Sequence, residues 1–167
     1  MASTITAATM TVTITESIAL NGRDQGASNT LTIPSIANVV KRIVNVGTDE
    51  IGLLGFGTAY NTELSKTYIA GQFDEDYVKY IRITNLDDTY HIALIFKNEN
   101  NDEFGVKVDK GCSFLYCAEL VGGVKDTMDS ADAAGITPDS FGDLVDVTCA
   151  ANTAACDVEV FVASTTS

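Results

Sequence analysis

The sequence predicts an all-β protein: an antiparallel two-sheet β-sandwich, jelly-roll-like, with about ten short strands and one or two short helical turns. Three observations predict it. Apolar and polar residues alternate at a period of two in most segments, turn residues punctuate those segments closely, and no long stretch keeps a helical period. The chain of 167 residues is 46% apolar, with two Pro and no Trp, which suits a strand-rich globular domain and argues against disorder. A domain of this length buries about 70% of the surface its unfolded chain exposes, so folding needs neither metal nor disulfide.

Residues 1–8 are small and polar and read as a flexible N-terminal arm; residues 9–167 read as a single β-sandwich domain. From Thr9 to Glu16, Met10, Val12 and Ile14 alternate with threonines, the pattern of a half-buried strand near a sheet edge. Asn21-Gly22-Arg23-Asp24 is turn chemistry, and Ser28 to Ile33 forms the next strand. Between Pro34 and Val46, Ile36, Val39, Val40, Ile43 and Val44 fit a helical spacing. The run is β-branched throughout, however, and β-branching disfavours helix. The expectation is a turn from Pro34 to Asn38 and a strand from Val39 to Val46. Ile51 to Ala59 is a further strand, interrupted by Gly52, Gly55 and Gly57, and Asn61 to Asp76 is an irregular excursion.

The strongest signal lies between Tyr77 and Cys117. Tyr90, Ile92, Leu94 and Phe96 share one face, and after the break at Asn98-Glu99-Asn100-Asn101 the pattern resumes with Phe104, Val106 and Val108. That is a hairpin, and the runs Tyr77–Thr84 and Cys112–Glu119 are expected to extend the same ladder on either side. Val121 to Lys125 reads as loop, and Asp126–Ala134 and Thr137-Pro138 as short helical turns, the latter with Thr as cap and Pro at the first helical position. Strands from Asp143 to Cys149 and from Cys156 to Ala163 close the domain.

The formal net charge of −13 opposes direct nucleic-acid binding, which depends on Lys and Arg neutralising phosphates. It equally disfavours anionic membranes. The N-terminus lacks a basic start and an apolar core, and no run is long enough to span a bilayer. These features predict a chain made and kept in a cytosol, or released by a route other than secretion. In a reducing compartment Cys112, Cys117, Cys149 and Cys156 are expected as free thiols. Cys112 and Cys117 on one strand would be about 16 Å apart and on opposite faces, whereas Cys149 and Cys156 would face each other across a hairpin.

No catalytic, cofactor-binding or metal-binding residue is assigned. His91, the single histidine, reads as a solvent-facing mid-strand residue, without the partners of a triad or zinc site. Gly52-Leu53-Leu54-Gly55-Phe56-Gly57 has no Lys-Ser/Thr after it and no helix to open, so it is no phosphate loop; glycines in a strand mark bulges. The acidic clusters Asp74-Glu75-Asp76, Asp87-Asp88 and Asp102-Glu103 do not match a calcium loop. Tyr60, Tyr68, Tyr77 and Tyr80 would suit a sugar-stacking groove, though aromatics at such positions are more often core or interface.

YIRITNLDDTYHIALIFKNENNDEFGVKVDKGCSFLY (Tyr80 to Tyr116), DLVDVTCAANTAACDVEVFVAS (Asp143 to Ser164) and the opening TVTITESIALNG (Thr11 to Gly22) resemble small virion structural proteins of tailed bacteriophages. The resemblance implies an all-β, non-enzymatic protein present in many copies and packed against major capsid or tail subunits. It implies a homo-oligomer located in the virion and assembled in the host cytoplasm, with no cofactor, direct nucleic-acid contact or membrane. Within that class the acidic surface favours a capsid decoration or cement protein. A tail or fibre component is the alternative, although the chain has no heptad or collagen-like repeat. A carbohydrate-binding β-sandwich for host-surface recognition is the alternative from another class.

Overall fold

The computed structural model describes residues 5–56, 72–117, 124 and 141–166. These residues form thirteen strands and no helix: β1 (Ala8–Glu16), β2 (Ala19–Leu20), β3 (Arg23–Asp24), β4 (Ala27–Ile36), β5 (Asn38–Val46), β6 (Ile51–Phe56), β7 (Gln72–Phe73), β8 (Val78–Asn85), β9 (Ile92–Asn98), β10 (Glu103–Val108), β11 (Ser113–Cys117), β12 (Leu144–Ala151) and β13 (Cys156–Ser164). Ten have five or more residues, as expected; β2, β3 and β7 are two-residue pairings. The expected helical turns at 126–134 and 137–138, the loop at 121–125 and the end of the strand expected to reach Ala59 lie, wholly or largely, outside the described residues.

Eight strands make the sandwich. One sheet has the order β10-β9-β12-β6, with β7 added in parallel at its edge, and the other has the order β11-β8-β13-β5. Strand partners across the chain are β5 with β13, β6 with β12, β8 with β11 and β9 with β10. That nesting is a long hairpin folded over on itself, the jelly-roll topology. The two sheets enclose a continuous core in which Val46, Leu53, Leu54, Ile81, Ile83, Ile92, Leu94 and Val158 are fully buried. Phe96 ties the layers together: it stacks on Phe104 of its own hairpin and contacts Phe114 of the opposite sheet, each at 4.8 Å between ring centroids.

The nesting corrects two expectations. The β9–β10 hairpin forms with Phe104 opposite Phe96 and Val106 opposite Leu94. Yet β8 and β11 do not extend that ladder; they pair with each other in the other sheet. Alternation fixes which face of a strand is buried and leaves its neighbour open. The crossing is built on Asn85, a fully buried side chain at the end of β8. Its amide Nδ2 donates to Tyr90 O at 2.9 Å and Val108 O at 3.2 Å, and its Oδ1 accepts from Asp87 N at 3.0 Å. Its main chain joins Cys112 O and Gly111 N. One residue thus secures both connections, β8 to β9 and β10 to β11. Likewise β12 and β13 are not a hairpin, because the link between them passes from one sheet to the other.

Pro34 does not turn the chain. β4 continues through it to Ile36, and the register slips by one residue where Ala8 pairs with Ile36 and Met10 with Ile33. Ser35 at φ 63° takes up that bulge. The strand expected at Val39 to Val46 is present as β5, one residue longer at its start. A second bulge falls in the glycine-interrupted strand, where Thr148 pairs with Gly52 and Val147 with Leu54, leaving Leu53 unmatched. The carbonyl freed at Leu53 accepts the Arg42 guanidinium, which reaches across from the opposite sheet at 2.7 Å.

The first forty residues depart most from expectation. β1 is no edge strand of either sheet. It pairs only with β4, giving a two-stranded ribbon capped by the β2–β3 turn. Asn21 at φ 51° and Gly22 at φ 74° form the tip, a conformation that Asn-Gly favours. At the neck Gly26 passes so close to Glu16 that a Cβ there would stand 2.4 Å from its carbonyl oxygen.

Candidate interaction surface

The ribbon lies over the outer face of the β11-β8-β13-β5 sheet and makes a third layer there. Met10, Val12, Ile33 and Ile36 of the ribbon pack on Tyr80, Phe161 and Ala163, a small cluster separate from the main core. Tyr80 stands edge-on to Phe161 with centroids 5.8 Å apart. It is therefore a buried spacer between layers, and burial raises its phenol pKa. The apolar face of the ribbon is a consequence of its sequence: Met10 opposite Ile33 and Val12 opposite Leu31 put the large side chains on one side. The threonines fall on the other, where Thr13 pairs with Thr30 and Thr15 with Ser28 through their hydroxyls at 3.2 and 3.1 Å.

Coverage is incomplete. Between β1 and the sheet runs an open groove of about 380 Å³, lined by Met10, Val12, Ile14, Leu115, Phe161 and Arg82 among others. Leu115, Ile14 and Leu31 remain exposed around it. Farther out are Ile18 and Leu20 near the tip and Val39 and Ile43 on β5, the last 61% exposed. Among the described residues ten large apolar side chains are exposed. Seven lie between Ile5 and Ile43, in the stretch that carries the ribbon and β5, and an eighth, Leu115, lines the groove.

Charge divides the same way. Residues 1–46 hold three bases (Arg23, Lys41, Arg42) and two acids (Glu16, Asp24), net +1; Arg42 turns inward to Leu53 O, so the exposed charges of this stretch cancel. The rest of the chain therefore carries −14 of the overall −13. The polar centre of this face is a compensated group. Glu159 on β13 accepts from Lys41 at 2.9 Å and from Arg82 at 2.5 Å, and those two hydrogen bonds hold its carboxyl below the usual range. Arg82 also donates to Thr84 Oγ1 at 2.7 Å and lies over the Phe161 ring.

The residues singled out from sequence do not converge on chemistry. His91 is half-buried and sits just before β9 instead of within a strand; its carbonyl accepts Asn152 N. Asp87 accepts from Thr89 N at 2.7 Å and Tyr90 N at 2.6 Å, bonds that lower its pKa. Asp74 closes a turn on Asp76 N, and Asp102 accepts from the Asn98 amide. Each acid thus caps its own turn. Among the described residues no three or more His, Cys, Asp or Glu side chains gather closely enough to hold a metal ion. All four cysteines are free. Cys112 and Cys117 are exposed, while Cys149 and Cys156 are buried. Burial, and then the neighbouring Cys156, push the Cys149 thiol up to about 12. Tyr77 is half-buried, and Tyr60 and Tyr68 lie outside the described residues.

What the sequence did not expose is the ribbon side itself. Its signals were present in the threonine alternation of residues 9–16 and in the scarcity of acids before residue 47. The fold and this surface define an all-β jelly-roll sandwich that carries an apolar third layer. Comparison with family models, with curated proteins and with solved structures finds no match.

Proposed function

We propose that this chain is a non-enzymatic structural protein of a tailed-phage particle, a capsid decoration or cement protein that packs against coat subunits. The observation that carries the reading is the pairing of a stiff, doubly layered jelly roll with an apolar, near-neutral side on an otherwise strongly acidic molecule. Contiguous exposed apolar surface marks protein contact sites, and jelly rolls serve as capsid modules as well as lectins. Fold alone decides between none of these roles; the resemblance of Tyr80–Tyr116 and Asp143–Ser164 to small virion proteins supports the first.

A sugar-binding role draws less support from the groove. Tyr80 is covered by the ribbon, and Arg82 already serves Glu159 and Thr84, so few polar groups converge on a ligand there.

The test is a phage in which the coding sequence is deleted. Decoration predicts tailed particles that still assemble but release their genome at lower temperature or under milder osmotic shock, with recovery when purified protein is added. Particles that fail to acquire tails would move the chain to the tail. Particles unchanged in composition and stability would sink the proposal.

A further inference from the structure

We propose that the ribbon side is a self-association surface on which a second copy of this chain seats face to face. This is the side that the proposed function sets against coat subunits, and the inference concerns what covers it in the isolated protein.

Three observations point to a second copy. The first is charge. Two molecules at −13 repel over most of their surfaces. The side built from the ribbon and β5 is the least acidic one: Arg42 turns inward to Leu53 O, and the exposed Arg23 and Lys41 there balance the exposed Glu16 and Asp24. The second is continuity with packing the chain already makes. The outer sheet face accepts Met10, Val12 and Ile33 of its own ribbon. The uncovered remainder of that face, Leu115 and Ile43, has the same character as the uncovered remainder of the ribbon, Ile14 and Leu31. Those residues give a two-fold contact both halves of its complement, as an isologous interface requires. The third is the groove of about 380 Å³ beside Ile14, Leu115 and Phe161. It has room for apolar side chains such as Ile18 and Leu20 from the partner's ribbon tip. An isolated two-stranded ribbon is marginal in water, and seating against a partner supplies the burial its outer half lacks. The hydroxyl face of the ribbon, with Thr13 and Thr30 already bonded to each other, stays toward solvent.

The test is sedimentation equilibrium on the full chain and on Leu115→Asp and Ile43→Asp, with Ala93→Asp, exposed on β9 of the opposite sheet, as the control. All three sites are solvent-exposed, and circular dichroism verifies the fold of each variant. The wild type is expected to dimerise at micromolar concentration. Leu115→Asp and Ile43→Asp weaken the dimer about tenfold or more through a buried unpaired charge, and Ala93→Asp leaves it unchanged. Added salt strengthens the dimer, because it screens repulsion between the acidic bodies. A monomeric wild type, a dimer indifferent to both face variants, or a dimer that salt dissociates would each overturn the proposal. A monomer whose face variants lose binding to phage particles would assign the surface to a coat subunit and leave the particle role standing.

Discussion

Replacing Asn85 with Ala should destabilise the protein more than any other single polar truncation among the described residues. The side chain is wholly buried and uses both amide protons and its oxygen, on Tyr90 O, Val108 O and Asp87 N. Removing it leaves two carbonyls and one N–H buried or partly buried without their partner. Each such group costs about 1–3 kcal/mol. Local relaxation and water entry recover part, so the expected loss is about 3–5 kcal/mol. For a chain of this size 1 kcal/mol corresponds to about 2–4 °C in Tm, so Tm should fall by roughly 6–20 °C. Thermal and urea unfolding followed by circular dichroism measure this directly. Thr13→Ala, which removes an exposed hydroxyl pair with Thr30, should cost less than about 1 kcal/mol. Asn85→Asp adds a sign. It keeps the acceptor but points a carboxylate at two carbonyls, which raises its folded-state pKa. Its deficit should therefore be largest at neutral pH and shrink as pH falls through that raised value. A loss below about 1 kcal/mol for Asn85→Ala would refute the claim that this amide holds the two inter-sheet crossings.

Other consequences are equally direct. Gly26→Ala places a methyl against the Glu16 carbonyl, so hydrogen exchange in β1 and β4 should accelerate while the sandwich strands keep their protection. Alkylation at pH 8 should label Cys112 and Cys117 quickly and Cys149 slowly, since Cys149 is buried with its thiol pushed up to about 12; intact-mass spectra of timed samples count the labels. Leu94→Ala, a fully buried site in β9, should cost about 2–5 kcal/mol in urea unfolding. Acid should weaken the fold. Glu159, Asp87 and Asp109 are held below the carboxylate range by their hydrogen bonds. A depressed folded-state pKa contributes stability above the unfolded value, lost as pH drops through the folded one. Tm should thus decline below about pH 4, and Lys41→Met should blunt the part due to Glu159.

Much of the architecture was legible in the residues because the strands are amphipathic. The alternation of Ile92, Leu94 and Phe96 with Phe104, Val106 and Val108 identified a hairpin that the structure forms, with Phe104 opposite Phe96 and Val106 opposite Leu94. Partnering was not legible. Whether β8 lies beside β9 or crosses to the other sheet depends on Asn85 and the Asp87 turn, where a few side-chain bonds reverse the chain. Cys149 and Cys156 suffered the same ambiguity, since a link of four residues serves a hairpin or a change of sheet. Thr9 to Glu16 has the pattern of an edge strand and of a free ribbon alike. What separates the two is the neighbouring sheet face, formed by Tyr80, Phe161 and Ala163, far away in sequence. The interaction surface was hidden for that reason: it is assembled from β1, β4, β5 and β11, and no local motif announces it.

The most direct test of the proposed particle role is electron cryo-microscopy of the phage that would carry this chain. The account predicts a jelly roll at every equivalent position on the outer capsid lattice, with the β1–β4 ribbon side buried in protein contacts and the acidic remainder facing solvent. Density for the sandwich with Ile14, Ile43 and Leu115 open to solvent, or a particle from which the chain is absent, would contradict it.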